Sequence, residues 1–340
     1  MPDSLVSPLH NYHTSQNAKF IDFAGWSMPF SYEGTIKEHN YVREDKGFFD
    51  VSHMGRLEIQ YNDIAILQTL ICSDIENLQV GKALYSIFTN NNGCAIDDVI
   101  FWKFQDKILL ICNAANTLKI KEHLITYSIS FNDVTNSTAL IAIQGPNAIE
   151  IMEGLVDIPD SFSCLQNDQY TYARTGYTGE DGLEIMVSLD YVDELLDYLK
   201  SNNISPCGLG SRDTLRLEAS LPLYGFELSD EITPVEAGLK WTITNTQPYL
   251  GSEVITEQLK NGPHKILKKF EIDTRAIART GTKVSAGESG GVVTSGNFSP
   301  RLQKSIGFVM FENQPSTDLI VFDIRGKLVE GKILKKRFLN

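Results

Sequence analysis

The sequence predicts an α+β body followed by a small C-terminal β-barrel. Two observations point to the body. Patterns of helix and strand type intermingle with no regular βαβ rhythm, and 340 residues are too many for one simple core. A third observation points to the barrel, or to a small sandwich. Beyond Gly262-Pro263 the chain breaks into short strands separated by glycines. The division is therefore expected between residues 1–261 and 262–340.

The elements follow in order. Residues 20–30 are aromatic and carry Gly25 and Pro29, which predicts an irregular packed segment. Thr35 is a candidate N-cap for a helix that stops at Gly47. Residues 56–61 read as a strand and 63–70 as a short helix. Residues 81–90, with Tyr85, lead by another strand into the turn 90–93, where Asn and Gly tolerate positive φ. Residues 99–104, β-branched and aromatic, form the next strand. The strand 108–112 ends in Asn113-Ala114-Ala115-Asn116, which opens a helix to about residue 127. A buried strand over 139–143 precedes a helix over 147–156. Strands at 170–174 and 183–187 flank a Gly-rich loop. Val192, Leu195, Leu196 and Leu199 fall at helical spacing within a helix over 190–201. A helix over 209–219 carries Arg212 and Arg216.

Two stretches carry candidate chemistry. Asp97 and Asp98 sit between the turn and the strand 99–104, and alternation sends them to opposite faces. Asp98 shares its face with Ile100, Trp102 and Phe104. A carboxylate heading an apolar, aromatic row is partly desolvated, which tunes it for proton chemistry. The alternative is two turn residues in water. The second stretch is the loop RTGYTGEDGLEIM, with glycines at 176, 179 and 182. No GK[ST] follows it, so it is not a P-loop. On the strand beyond it, Leu183, Ile185 and Val187 take one face, while Glu184 and Met186 take the other. A carboxylate there suits a flat heterocycle with two adjacent N–H donors. The alternative is a solvated Glu opposite a core face.

Bulk properties exclude several classes. Apolar residues make up 42% and charged residues 21%, an ordinary globular composition. No apolar run approaches the roughly 18–20 residues of a membrane span. The start, MPDSLVSPLHNYH, has neither a secretory nor a mitochondrial targeting pattern. The five cysteines form no CxxC pair and suggest reduced, cytoplasmic thiols rather than a disulfide framework. The six histidines show no HxxxH or HxH grouping, so no metal site is expected. A net charge of −13 argues against nucleic acid as a partner. That charge is segregated. Residues 262–340 hold 14 basic and 7 acidic residues, a net of +7. The preceding 261, with 16 basic and 36 acidic, carry −20.

The ordered set DFAGWSMPF, FDVSHMG, GCAIDDVI, CNAAN, IQGP, RTGYTGEDGLE, GLGSRDTLRLEA and TSGNFSP resembles the T-protein of the glycine cleavage system, an aminomethyltransferase. The matches run from residue 19 to about 310. The resemblance implies a three-domain cloverleaf around a central folate cleft, with two domains interleaved in the body. It implies tetrahydrofolate as acceptor, a lipoylated H-protein as donor, and the P- and L-proteins as indirect partners. By motif the catalytic acid falls on Asp98, the pterin-gripping acid on Glu184 and the folate-contacting Arg on Arg212. Met54, Tyr85, Asn113, Tyr177 and Trp241 match positions lining the folate cleft, and Trp102 is expected to stack beside Tyr85 and Tyr177.

Two departures stand out. Cys94 replaces a usual Gly, and Asn340 stands where an Arg is expected. The same fold family includes a sulfonium demethylase, the folate domains of sarcosine-type dehydrogenases and a folate-binding module of iron–sulfur assembly. The chain lacks the flavin-binding half of the dehydrogenases. It also lacks the Cys-Tyr-x-Gly-Gln-type signature of the assembly module.

Overall fold

The computed structural model describes residues 4–339, which leaves the expected departure at Asn340 outside the described residues. The chain forms two compact units. One comprises Met1–Leu67, Ile75–Ser86 and Val99–Asp213; the other comprises Gln68–Asp74, Ile87–Asp98 and Thr214–Asn340. Among the described residues no helix is long and apolar enough to cross a membrane.

The first unit is built on a six-stranded sheet. Its strands run in the order Cys164–Gln166, Tyr170–Ala173, Gly182–Ser188, Thr138–Gln144, Gly47–Asp50 and Ser205–Pro206. Alternation splits the sheet into two faces. Ile141, Ile143, Leu183, Ile185 and Val187 pack with Leu195, Leu196 and Leu199 of the helix Val192–Ser201 and with Ala148 and Met152 of a second helix. The opposite face carries a cross-strand row set by register, Phe49↔Ala142↔Glu184↔Ala173. Gln144 lies two residues beyond Ala142 on that face, paired with Gly182.

Two features fix the edges of this unit. The strands Lys19–Phe23 and Trp26–Ser31 form a hairpin, where an irregular segment was expected. Its two turn residues, Ala24 and Gly25, have φ of 52° and 80°, the conformation of a type I′ turn. Glu38, in the helix Thr35–Glu44, accepts on Oε1 from the backbone N–H groups of Tyr32 (2.7 Å), Glu33 (2.9 Å) and Gly34 (2.9 Å). Gly34, not Thr35, is the cap residue, and the carboxylate replaces the expected hydroxyl cap. Its Oε2 accepts from the N–H of Gly208 at 2.8 Å, at the entry to the helix Leu209–Glu218. One buried carboxylate thus satisfies the starts of two helices. It also favours both electrostatically, because helix N-termini attract negative charge.

The five-stranded sheet has the order Ala83–Thr89, Ala95–Lys103, Lys107–Cys112, Gly55–Gln60 and Phe131–Asp133. The strand Ala95–Lys103 begins four residues earlier than expected and takes in both Asp97 and Asp98. The expected helix over 147–156 is shorter, Ala148–Met152.

In the second unit the barrel is present and closed. Its strands run in the order Ile266–Ile272, Lys304–Phe311, Ser289–Ser299, Lys283–Ala286, Leu319–Ile324 and Lys327–Leu334. Phe270, Val293, Val309, Phe311, Ile320 and Phe322 fill the interior. A helix not foreseen from the sequence, Ser252–Asn261, precedes it and ends at Gly262 with φ of 88°. Leu217 packs against Ile306, Phe308 and Phe338 of the barrel. Beside it Arg216 pairs with the buried Glu227 at 3.1 Å and donates to Ser295 Oγ at 2.9 Å. A register shift between Val293 and Ser295 re-aims the strand there.

Candidate active site

In the first unit the structure gathers three of the expected site residues. Glu184 is only 8% exposed, so it is not the solvated residue of the alternative reading. Its strand places it on the face opposite Leu183 and Ile185, and its Oε2 accepts from Thr175 Oγ1 at 2.6 Å. Arg212, on the first turn of the helix Leu209–Glu218, lays its guanidinium 4.9 Å from the ring centroid of Tyr177 and 5.9 Å from that of Phe49. Burial lowers the Arg212 pKa, and the negative charge of Glu184 and the Tyr177 phenol oppose that shift. Its Nη1 is buried and meets no acceptor among the described residues. A guanidinium close to two aromatic rings with an unmet N–H keeps spare donor capacity.

The remaining expected residues are distributed as follows. Met54 and Asn113 are partly exposed. The register Gly55↔Cys112 makes them leave adjacent strands at the same end of the sheet. Tyr85, within Ala83–Thr89, is also partly exposed. Trp102 is wholly buried, and its indole Nε1 has no hydrogen-bond partner among the described residues. In the second unit Trp241 is 61% exposed. Asp98 is partly buried on its strand, while Asp97 beside it has no exposed surface. Neither acid is the turn residue in water of the alternative reading.

Sequence reasoning did not single out Phe49, Thr175, Gln144 or His53. Phe49 and Gln144 lie in FFDVSHMG and IQGP, motifs that carry no titrating group at those positions. His53 is 5% exposed, and its Nδ1 is buried with no partner among the described residues. Burial brings its pKa down to about 4, with Asp50 opposing and Arg212 and Arg56 adding to the fall, so the ring is neutral at pH 7.

Behind it lies a buried network. Asp50 accepts from Ser7 Oγ and from the N–H of Ser52 at 2.9 Å, and pairs with His13 Nε2 at 2.7 Å. The other His13 ring nitrogen bonds Tyr32 Oη at 2.8 Å. Burial alone would raise the Asp50 pKa, but His13, Ser52 and Ser7 outweigh it and hold the carboxyl at about 2.

Residues 9–247 match the GCVT N-terminal domain, and residues 265–340 match the glycine cleavage T-protein C-terminal barrel domain. The chain is 41% identical over 359 residues to an aminomethyltransferase of Synechocystis sp., covering 98% of this chain and 96% of the relative. It is 38% identical to an aminomethyltransferase of Leptospira interrogans, covering 100% of this chain and 98% of the relative. The crystal structure of glycine cleavage system aminomethyltransferase T from Bartonella henselae matches with a TM-score of 0.92, at 28% identity and over 98% of both chains. With both domain families matched in order and relatives above one-third identity over nearly their full length, the chain belongs to the glycine cleavage T-protein family of aminomethyltransferases.

Proposed function

We propose that this chain transfers the one-carbon unit of an aminomethyl group, carried on the lipoyl arm of an H-protein, to tetrahydrofolate. The carbon–sulfur bond to lipoyl breaks and the dihydrolipoyl thiol is regenerated. The carbon joins N5 and N10 of the folate, and the amino nitrogen leaves as ammonia. The P- and L-proteins would meet this chain only through the same H-protein, and the cytoplasm is the compartment in which we place the reaction.

One observation supports the folate half of this reading: the buried Glu184 beside an Arg212 with an unmet N–H and a Tyr177 ring. The donor set fits a pterin. Glu184 accepts two adjacent N–H groups from its edge, as a carboxylate accepts a guanidinium fork. Tyr177 supplies apolar contact along the ring, and Arg212 donates to a ligand oxygen. Met54, Tyr85, Asn113 and Trp241 are proposed as further contacts. Asp98 is proposed to polarise the reacting nitrogen and move protons to the departing ammonia, an effect of about 10²–10⁴-fold in rate. Holding carbon against N5 supplies much of the remaining acceleration.

The test is direct. Tetrahydrofolate and aminomethylated H-protein should together release ammonia, and neither should do so alone. Glu184→Gln should weaken tetrahydrofolate binding by about 1.5–3 kcal/mol, the scale of a hydrogen bond to a charged group. An unchanged folate Kd would overturn the role of Glu184, and absence of ammonia would overturn the reaction.

A further inference from the structure

Gln144 ends the strand Thr138–Gln144 and has no exposed surface, so it touches no ligand itself. Its side-chain amide is fully oriented. Nε2 donates to the carbonyls of Ile143 and Thr175, each at 3.1 Å, and Oε1 accepts from Thr178 Oγ1 at 2.9 Å. The amide therefore grips the loop at residues 175 and 178, on either side of Tyr177. The loop's backbone lies close against it. A Cβ at Gly176 would collide with Oε1, and one at Gly182 would collide with the Ile143 carbonyl and lie 2.7 Å from Nε2. The third glycine, Gly179, has φ of 83°. The glycine spacing of RTGYTGEDG is thus explained by one buried amide, the adjacent Ile143 carbonyl and one left-handed turn residue.

Arg43 holds the same loop from the helix Thr35–Glu44. Its Nη1 donates to the Thr178 carbonyl at 2.8 Å and to Glu180 at 2.9 Å. The consequence reaches both ligand-facing groups. Tyr177 lies between two gripped residues and presents its ring to Arg212. Thr175, whose carbonyl Gln144 holds, turns its own hydroxyl to Glu184.

We propose that Gln144 is a positioning residue for folate: its amide pre-sets the loop so that Tyr177 and Glu184 stand ready before the ligand arrives. The proposal rests on the folate reading of the Glu184 site. A loop with three glycines has many alternative conformations, and ordering it only on binding would be subtracted from the affinity. Loss of the amide should therefore weaken folate binding without slowing the chemical step.

The experiment uses the full chain with Gln144→Leu, Thr178→Val and Thr178→Ser. Thr178→Val removes the hydroxyl that donates to Gln144 and that also accepts from the Glu180 N–H at 3.2 Å; Thr178→Ser keeps both bonds. Amide hydrogen exchange over residues 174–182, the tetrahydrofolate Kd, kcat, and KM for folate and for H-protein are measured. Gln144→Leu and Thr178→Val should speed exchange in the loop and raise the folate Kd and KM by about tenfold. Their kcat and KM for H-protein should stay within about twofold, since neither residue contacts substrate or the lipoyl arm. Thr178→Ser should behave as the parent.

Unchanged loop exchange, or an unchanged folate Kd where Glu184→Gln raises it, overturns the positioning role alone. If Gln144→Leu does not fold, Thr178→Val carries the same test. If neither Glu184→Gln nor Gln144→Leu alters folate affinity while loop exchange quickens, the folate reading fails and the proposal falls with it.

Discussion

Asp97 and Asp98 are neighbours with different surroundings, and their substitutions should separate. Asp97 has no exposed surface, whereas Asp98 is partly exposed. Asp98→Asn is expected to abolish most turnover while thermal unfolding shifts little. Asp97→Asn is expected to lower the unfolding temperature, because it changes a fully buried carboxylate. Equal loss of turnover from both, at equal stability, would sink the assignment of the acid to Asp98.

His53 gives a pH signature. Its pKa of about 4 in the folded chain lies below the usual 6.5. Between those values the unfolded chain binds a proton that the folded chain refuses. Stability from this group is complete above about pH 6.5 and falls as pH is lowered toward about 4, by up to roughly 3 kcal/mol. Chemical denaturation across that range should show the slope in the parent and a flatter profile in His53→Asn.

At the scale of elements, Glu38 joins the hairpin exit to two helix starts. Glu38→Gln presents an amide N–H₂ to backbone N–H donors and should cost about 2–3 kcal/mol, measured by denaturant unfolding. Because the helix Leu209–Glu218 carries Arg212, folate affinity should fall with it.

What was legible in the sequence follows from pattern strength. The helix Val192–Ser201 declared itself through four leucine and valine positions at helical spacing, and the barrel through glycine-separated strands. The hairpin Lys19–Phe23/Trp26–Ser31 did not. Its turn is Ala24-Gly25 rather than Asn-Gly, and Pro29 argues against a strand. The helix Ser252–Asn261 was missed because it buries little more than Ile255 and so lacks an apolar stripe. Glu184 and Arg212 could be named from their motifs, but their meeting depends on the register Ala142↔Glu184 and on a helix entered at Gly208. Neither is written in local periodicity. Phe49 and Gln144 were invisible for another reason: nothing distinguishes a packing ring or a structural amide from its neighbours until its contacts are known.

Across the whole molecule, charge is segregated, and the basic excess lies in residues 262–340. Lys268 and Lys269 on the barrel wall have lowered pKa values. Partial burial is the first cause, and the positive charges of Lys335 and Arg337 add to it respectively. An acidic partner would relieve that repulsion and be steered by it. Lys335 is paired with Asp318 at 2.8 Å, so its reversal would also break an ion pair. Lys336 and Arg337 are the cleaner positions. Reversing both should raise the KM for H-protein and leave that for tetrahydrofolate nearly unchanged. The difference should shrink with salt, as attraction within a Debye length of about 8–10 Å does. A rise in the folate KM instead would assign the basic face to the folate tail.

The bond from Gly208 to Glu38 spans 170 positions of chain. A ribosome adding about 5–20 residues per second leaves that carboxylate waiting roughly 10–30 s for its fourth donor. Through that interval the N-terminal segment can satisfy Tyr32, Glu33 and Gly34 but not the helix of Arg212. The nascent chain therefore carries a buried-acid position that stays open to water until about three-fifths of the polypeptide exists. The segment that carries Arg212 is also the one that closes this contact late in synthesis.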